Sequence, residues 1–389
     1  MGFARRMLRH GSIARPLQLA VALLLLVVSL ALLGTVLEHN AVDRDFICYW
    51  SSARLLRAHA DPYAPRAILH IEDRAGGAYR EPFIMRNPPW ALFLIAPLGW
   101  FPAPVAACLW LTALIAAALV SIRLLRMGPR PPPLAVCLFA PILGCAMAGQ
   151  LSIFLLLGMA LFFKFHQRWP FLAGSALTLA AMKPHLFLLF WPVFLVHSWR
   201  QGQLRILAGF AAGLALATGA AFLFDPHIVA HYLAAMRAEH IETQYLPNLP
   251  CEIRALIPRR PLALQLVPSL LGLAWASRFY VRRRNSWNWR KDGAHLLLLS
   301  VAVSPYSWPF DQLLFLPALM EVCSHRNSEK TLPVLTALNG VAILLLGLTL
   351  PFSSPVWAWT GVGCLLWYLW ARTEAAAPVR VGACITAPA

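Results

Sequence analysis

The chain has 389 residues, of which 59% are hydrophobic and only 13% are charged, and its mean hydropathy is +0.64. Such a chain could not keep its apolar surface away from water as a soluble globule, so we expect an all-α polytopic membrane protein. The 33 Lys and Arg residues against 16 Asp and Glu residues give a net charge of +17, which membrane insertion explains without nucleic-acid binding.

The N-terminal part predicts a membrane anchor. Residues 1–16 are basic and contain four arginines, and residues 17–37 form an apolar run. That run is long enough for a bilayer crossing, which needs about 20 residues. No small-residue cleavage site precedes the acids at its far end, so we interpret the run as a retained signal anchor.

Residues 38–89 form the longest polar segment of the chain. The segment opens with the acids Asp43 and Asp45, and aromatic residues lie between its later charges. We expect this first loop to contribute most of the chemistry.

The rest of the chain predicts many helices that cross or enter the membrane. Its hydrophobic segments are residues 90–101, 105–125, 134–148, 151–165, 171–182, 186–199, 206–224, 262–280, 296–310, 313–323, 332–350 and 356–370. Several are shorter than the roughly 20 residues of a usual crossing. Short neighbouring segments indicate broken helices that line a polar cavity.

The distribution of charge predicts the orientation. If the N-terminus, the C-terminal tail and the breaks at 123–130, 164–168, 200–205, 278–291 and 326–330 are cytoplasmic, that side holds 21 of the 33 basic residues and 4 of the 16 acids. The whole net charge then lies on the cytoplasmic side, as the positive-inside rule requires.

This orientation places residues 38–89 and a second loop, 225–260, outside the cytoplasm. Residues 90–101 are interpreted as a re-entrant or interfacial helix, because a full crossing would invert every later loop. We therefore expect about 12 transmembrane helices in a single domain, residues 17–371. The Ala- and Pro-rich tail, residues 372–389, is predicted to be disordered.

Six short landmarks carry a family resemblance. They are Asp45-Phe46 with Tyr49-Trp50, Asp61-Pro62-Tyr63, Asn87-Pro88-Pro89, Gly149-Gln150, Met182-Lys183-Pro184 and Ser304-Pro305-Tyr306-Ser307-Trp308. In this order they resemble the family 87 glycosyltransferases, which are GT-C-type integral membrane enzymes. The resemblance implies a GT-C-type fold, a polyprenyl-phosphate-linked sugar, commonly mannose, as the donor, and an active site outside the cytoplasm. It implies no further cofactor.

Asp45 is the candidate catalytic base. It lies a few residues beyond the predicted anchor, where its carboxylate could accept the proton of an attacking hydroxyl. The alternative is a helix N-cap, because residues 46–56 look helical. The resemblance favours the base, since the family's first-loop aspartate has this role and Asp45 matches it better than Asp43.

Three basic side chains are candidates for the donor phosphate. Lys183 lies between two apolar segments, where an unpaired charge is costly and therefore indicates function. The alternative is a lysine at a helix end whose amine reaches the interface. His185 could contact the same phosphate or pack in the core, and Arg86 could form a bidentate contact or lie on a solvated face.

Four further residues are expected to position the substrate: Asp311, Gln150, Trp50 and Asp43. Asp311 could hold sugar hydroxyls, orient a partner of Asp45, or cap the next short helix. Gln150 could bond the sugar, while Gly149 before it fits a packing corner equally well. Trp50 could stack on a sugar ring or belong to the interfacial aromatic belt.

No metal site is expected. Asp43-Arg44-Asp45 spells a D-x-D motif, but an oxygen-rich metal site usually needs more than two ligands. His227 and His231 stand at i and i+4, as in a helical metal pair, but no Glu or Cys lies at the spacing of a third ligand. Eight cysteines occur singly, without a C-x-x-C pair.

The sequence thus predicts an inverting hexosyltransferase in the inner (plasma) membrane. It would move a sugar, such as mannose, from a polyprenyl-phosphate donor to a glycan or glycolipid acceptor outside the cytoplasm, with membrane lipids as its other partners. A polytopic transporter or a lipid head-group flippase remains an alternative, because broken helices and an intramembrane lysine suit either. A non-catalytic relative is a third possibility.

Overall fold

The computed structural model describes residues 45–77, 80–127, 133–239, 244–257, 261–325 and 330–376. Every regular element within these residues is a helix, which confirms the predicted all-α class there. The predicted N-terminal segment 1–16, the anchor 17–37 and Asp43 lie outside the described residues.

The first half of the described chain contains eleven α-helices. They are α1 (Phe46–Arg57), α2 (Pro65–Arg74), α3 (Leu92–Ile95), α4 (Ala103–Leu125), α5 (Leu134–Cys137), α6 (Ala140–Ala148), α7 (Ser152–Phe165), α8 (Pro170–Ala180), α9 (Phe190–Arg200), α10 (Leu204–Phe224) and α11 (Ile228–Ala238). Short 3₁₀ turns, Pro89–Ala91, Ala96–Trp100 and Pro184–Phe187, lie between some of them.

The second half of the described chain contains six more α-helices. They are α12 (Leu249–Ala255), α13 (Ala263–Arg283), α14 (Ala294–Ala302), α15 (Leu316–Cys323), α16 (Leu332–Gly347) and α17 (Ala358–Ala376). The connections include 3₁₀ helices at Arg284–Ser286, Pro309–Phe315 and Pro355–Trp357 and a π-helical turn at Trp289–Gly293.

Two helices among the described residues are both long and apolar enough to cross a membrane, α4 with 23 residues and α10 with 21. The other strongly apolar helices are shorter, so the predicted count of about twelve crossings is not confirmed. Leu216 and Leu223 of α10 are 77% and 82% exposed. Exposed leucines on a long apolar helix favour contact with lipid over contact with water.

Close helix packing in the bundle depends on glycine. The Cα of Gly174 in α8 faces the backbone of Ile206 in α10, and Gly209 in α10 faces the backbone of Phe171 in α8. A Cβ at either glycine would overlap a carbonyl oxygen. The two helices therefore approach backbone to backbone, as small residues allow between membrane helices.

The helix breaks divide the bundle into two ends. The chain runs along α7 from Ser152 to Phe165, returns along α8 to the break that holds Lys183, and leaves again along α9 to Arg200. One end therefore carries the breaks at 149–151 and 181–183, and the other carries basic connections. The prediction that broken helices line a polar cavity agrees with this arrangement, as shown below.

The basic end is held together by its own contacts. The Arg290 guanidinium donates to the carbonyl oxygen of Arg126 at 3.2 Å, next to the end of α4. The Trp289 ring lies 5.1 Å from that of Phe162 and 5.3 Å from that of His197. The described residues of four breaks that were predicted to be cytoplasmic therefore meet at one end; these breaks are 123–130 (of which the structure describes 123–127), 164–168, 200–205 and 278–291.

Two predicted segments can be compared directly with the structure. Residues 89–100 form three consecutive short helical pieces instead of one crossing helix, which agrees with a re-entrant or interfacial segment because twelve residues span only about 18 Å. The predicted disordered tail, 372–389, is wrong at its start, because α17 continues to Ala376. The remainder of the tail lies outside the described residues.

Candidate active site

A cavity of about 810 Å³ lies at the end of the bundle that carries the helix breaks. Five of the predicted site residues line it: Asp45, Arg86, Gln150, Lys183 and His185. They come from the first loop and from the breaks that follow α6 and α8. The structure therefore brings together the carboxylate of the first loop and the cation between two later helices.

Asp45 immediately precedes α1, at the N-cap position, but its side chain makes no capping hydrogen bond. Its Oδ2 instead accepts a hydrogen bond of 2.8 Å from Nε2 of Gln150. The hydroxyl of Tyr49 donates to Oε1 of Gln150, also at 2.8 Å. Tyr49 thus fixes which end of the Gln150 amide faces Asp45, and the carboxylate points into the cavity rather than along its own helix.

The turn that carries Gln150 requires glycine at position 149. Gly149 ends α6 in the left-handed conformation, with φ of +69°. A Cβ there would lie 2.7 Å from Cβ of Phe46, the residue next to Asp45. Glycine tolerates this φ and leaves room for α1 to approach. The packing role considered for Gly149 is therefore the one that places Gln150 beside Asp45.

Lys183, which lines the cavity, forms a buried ion pair with a carboxylate that does not line it. Its Nζ lies 2.9 Å from Oδ1 of Asp311 and donates to the hydroxyl of Ser152 at 2.9 Å. Ser152 in turn donates to the same Asp311 oxygen at 2.6 Å. Lys183 is only 8% exposed, so it does not reach the interface as a helix-end lysine would.

The role of Asp311 needs correction. Its side chain is only 1% exposed, and Asp311 does not line the cavity, so it does not hold sugar hydroxyls in this structure. Its Oδ2 accepts the backbone N–H of Trp308 at 3.0 Å and caps the 3₁₀ helix Pro309–Phe315. Asp311 is therefore a counter-ion for Lys183 and a helix cap.

One turn connects the two polar groups. Gln150 contacts Asp45, and Ser152, two residues later, contacts Lys183 and Asp311. The turn at residues 150–152 therefore contacts both Asp45 and Lys183.

Arg86 reaches across the cavity mouth to the second loop. Its guanidinium pairs with Glu239 at 2.5 Å and donates to Oε1 of Gln244 at 2.7 Å and to the hydroxyl of Tyr306 at 3.0 Å. Burial alone would lower the pKa of Arg86. The charge interactions and hydrogen bonds with Tyr306 and Glu239 have a larger, opposite effect, so the pKa lies above its ordinary value. The side chain is therefore a permanent cation that joins the two loops.

The comparison with known families decides the class of protein. The model of glycosyltransferase family 87 matches residues 84–305, which is more than half of the chain. This chain belongs to glycosyltransferase family 87. Neither a curated protein nor a solved structure matches it significantly. The match includes Arg86, Gln150, Lys183 and His185, whereas Asp45 and Asp311 lie outside the matched residues.

Family membership and the exposed apolar helices together indicate that this family 87 glycosyltransferase is a membrane protein. Membership also favours the enzyme over the transporter or flippase. The predicted recognition from six short landmarks is confirmed.

Two of those landmarks dock on each other in this glycosyltransferase. The side-chain amide of Asn87 donates to the carbonyl of Met182 at 3.0 Å, and the indole of Trp90 donates to the carbonyl of Ala181 at 2.8 Å. The end of the first loop is thereby fixed on the break that holds Lys183.

His185 and Trp50 differ in their position. The Nε2 atom of His185 is buried and has no hydrogen-bond partner among the described residues, and the residue lines the cavity. A ligand could therefore satisfy this atom.

Trp50 does not line the cavity, because its indole donates to the carbonyl of Phe101 at 2.9 Å. The prediction that Trp50 stacks on a sugar is therefore not supported, because the ring does not reach the cavity.

Several site residues of the glycosyltransferase were not predicted from the sequence. They are Tyr49, Ser152, Glu239 and Gln244. Tyr49 belongs to the first landmark and Ser152 follows the Gly149-Gln150 landmark, so both could have been found. Nothing in the sequence indicated Glu239 or Gln244. The cavity lining contains no cluster of metal-ligating side chains within the described residues.

Proposed function

We propose that this glycosyltransferase transfers a hexose, such as mannose, from a polyprenyl-phosphate donor to an acceptor hydroxyl with inversion at C1. The observation that supports the proposal is the shared cavity, which is lined by the Asp45 carboxylate and by Arg86, Lys183 and His185. Its volume of about 810 Å³ lies within the usual range of ligand pockets, about 300–1,000 Å³. Transfer from a sugar phosphate requires a carboxylate that accepts the proton and groups that stabilise the phosphate charge, here a guanidinium and an imidazole N–H.

Asp45 acts as the general base in this proposal. Its carboxylate accepts the proton of the acceptor hydroxyl while that oxygen forms a bond to C1 of the sugar. The bond from C1 to the phosphate oxygen breaks on the opposite face, and the phosphate leaves with the bonding electrons. The Gln150 amide holds the carboxylate in one orientation, because its donor N–H stays bonded to Oδ2. Most of the rate enhancement comes from positioning the two substrates and stabilising the phosphate charge.

Arg86 stabilises the leaving phosphate by its charge and His185 by donating its imidazole N–H, while Lys183 lines the cavity beside them. Arg86 is more accessible than Lys183, with 34% of its side chain exposed against 9%, and its planar guanidinium suits phosphate oxygens. Lys183 is neutralised by Asp311, so it acts as a buried polar support of the Pro184-His185 turn more than as a free charge. The predicted direct contact between Lys183 and phosphate would require it to share its amine with Asp311.

The exposed apolar helices and the charge distribution support a site outside the cytoplasm in the inner membrane. The basic breaks meet at the end of α7 and α9, whereas the cavity lies at their beginning. Positive ends of membrane helices stay in the cytoplasm. The polyprenyl chain would then lie in the outer leaflet with its head group in the cavity, beside a glycan or glycolipid acceptor.

The Asp45→Asn variant tests the proposal. Purified protein in detergent would be given a radiolabelled polyprenyl-phosphate hexose and an acceptor glycolipid, and transfer would be measured. Loss of a general base lowers the rate by about 10²–10⁴-fold, so we expect at least about a 100-fold loss. The control is Asp73→Asn, an exposed acid in α2 that does not line the cavity. Full activity of Asp45→Asn would remove Asp45 as the base.

A further inference from the structure

A second polar cluster lies outside the cavity, between the two loops. It consists of Asp61 in the turn between α1 and α2, Asp225 at the end of α10 and His231 in α11. One carboxylate oxygen of each acid and Nδ1 of His231 lie within 4.8 Å of one another. None of the three residues lines the cavity, so the cluster is separate from the transfer site.

The charges within this cluster are not balanced by a basic side chain. Nδ1 of His231 lies 2.6 Å from Oδ2 of Asp225 and 3.7 Å from Oδ1 of Asp61. Within the described part of the chain, the ion-pair partner of both acids is His231 and not a Lys or Arg, although the protein carries a net charge of +17. Asp225 is only 5% exposed, and a buried carboxylate needs a cation or several hydrogen bonds. One imidazole facing two carboxylates leaves negative charge uncompensated.

The orientation of both carboxylates is fixed by backbone donors. The N–H of Tyr63 donates to Oδ1 of Asp61 at 2.9 Å, and the N–H of His227 donates to Oδ1 of Asp225 at 2.8 Å. The second bond leaves Oδ2 of Asp225 directed at His231. Hydrogen bonds that orient ligating carboxylates in this way are typical of metal sites.

We propose that Asp61, Asp225 and His231 bind one divalent transition-metal ion. Two carboxylate oxygens and one imidazole nitrogen form a ligand set that suits Zn²⁺ or Mn²⁺. At a tetrahedral ion with bonds of about 2 Å the ligand atoms would stand about 3.3 Å apart, so small side-chain rotations suffice. About a third of the side chains of Asp61 and His231 is exposed, which leaves room for a water molecule as a further ligand.

The ion would fasten the helix that forms one wall of the cavity. Tyr232 and Met236 of α11 line the cavity, and Glu239, just beyond the helix, pairs with Arg86. The ring of Tyr232 lies 5.5 Å from that of Tyr63, next to the Asp61 turn. A metal ion at His231 would therefore hold the beginning of α11 against the first loop, while Arg86 holds its end.

The site differs from the metal pair suggested by the spacing of His227 and His231. In the structure, the cluster contains His231 but not His227. The other two ligand residues are Asp61 and Asp225. His227 is exposed; its backbone N–H donates to Asp225 and its ring lies 6.2 Å from that of His231, but it is not one of the three clustered ligand residues. It therefore provides a matched control at the residue that precedes α11.

The full-length protein, free of any histidine tag and stripped with EDTA, would be equilibrated with Zn²⁺ or Mn²⁺ in detergent and then passed over a desalting column. Bound metal would be counted by mass spectrometry, and the melting temperature would be recorded with and without the ion. We expect about one ion per chain and a higher melting temperature for the wild type and for His227→Ala. Asp225→Asn and His231→Ala should bind at least about tenfold more weakly.

The design keeps the proposal falsifiable even if one variant does not fold. Asp61 lies in a partly exposed turn, and asparagine at this position retains the acceptor for the N–H of Tyr63. The Asp61→Asn variant should therefore fold and should bind the ion more weakly than the wild type. Absence of metal from the wild type would overturn the proposal, as would equal binding by all variants. Equal affinity for Mg²⁺ would also overturn it, because the imidazole ligand selects against Mg²⁺.

Discussion

The side-chain amide of Gln150 lies 2.8 Å from the carboxylate of Asp45, although 105 residues separate them in the sequence. The contact forms because Gly149 lets the turn after α6 approach the beginning of α1. The hydrogen bond from Gln150 directs the Asp45 carboxylate toward the cavity, although Asp45 occupies the N-cap position of α1. The strongest candidate for the base thus depends on a neighbour that belongs to another part of the chain.

Gln150→Ala should lower the rate of transfer without unfolding the protein. The variant removes one hydrogen bond to a charged group, which is worth about 1.5–3 kcal/mol, or roughly 10–100-fold. Tyr49→Phe should have a smaller effect, because it removes only the bond that orients Gln150. Steady-state kinetics with both variants would check this order. A larger loss for Tyr49→Phe than for Gln150→Ala would contradict the proposed chain of contacts.

Breaking the buried ion pair between Lys183 and Asp311 should destabilise the protein. Lys183→Met leaves the Asp311 carboxylate buried without its counter-ion, and such a change usually costs about 3–5 kcal/mol. Asp311→Asn should be destabilising for the converse reason. The double variant Lys183→Met/Asp311→Leu should recover much of the melting temperature. Single variants that melt like the wild type would show that the pair does not form.

Arg86→Ala should raise KM for the donor more than it lowers kcat, because Arg86 would contact the donor phosphate throughout the reaction. Arg86 also bonds Glu239, so a structural role must be separated from a binding role. Glu239→Gln removes that ion pair but leaves the guanidinium in place. A donor KM that rises equally in both variants would assign Arg86 to loop packing. We expect about a 10–100-fold rise for Arg86→Ala alone, as for the loss of a charged hydrogen bond.

Glu72 predicts a dependence of stability on pH. Burial in α2 raises the pKa of Glu72 from 4.5 to about 7, although its Oε2 accepts the N–H of Phe83 at 3.3 Å. The folded state holds the proton of Glu72 more tightly than the unfolded state. The contribution of this proton to the free energy of unfolding is therefore fully present below about pH 4.5 and is lost as the pH rises through about 7. Glu72→Gln should therefore raise the melting temperature at pH 8 by roughly 2–6 °C and flatten its pH dependence.

Thermal melting between pH 5 and pH 8.5 would measure the Glu72 effect. The matched control is Arg66→Gln, an exposed residue of the same helix that takes no part in the shift of Glu72, so this variant should keep the wild-type profile. An unchanged profile for Glu72→Gln would show that this carboxyl does not titrate near pH 7. The result matters for the site because Phe83, which contacts Glu72, lines the cavity.

Local sequence features were sufficient to predict the class of the protein and several of its helices and helix breaks. The composition alone indicated a helical membrane protein, and residues 46–56 read as a helix that the structure extends from Phe46 to Arg57. Gly149-Gln150 and Met182-Lys183-Pro184 marked breaks that the structure places at the cavity. These features are predictable because hydrophobic runs and backbone conformation depend on neighbouring residues.

The partners of the charged side chains were decided only by the tertiary structure. Lys183 pairs with Asp311 at a sequence distance of 128 residues, and Arg86 pairs with Glu239 of the second loop. The cluster of Asp61, Asp225 and His231 likewise joins three elements. A sequence shows that a buried cation needs an anion, but it does not show which one, because that depends on how the helices pack. The sequence by itself therefore determined the helical class and the polar breaks, whereas the packing of those helices decided which carboxylate faces the cavity and which is neutralised behind it.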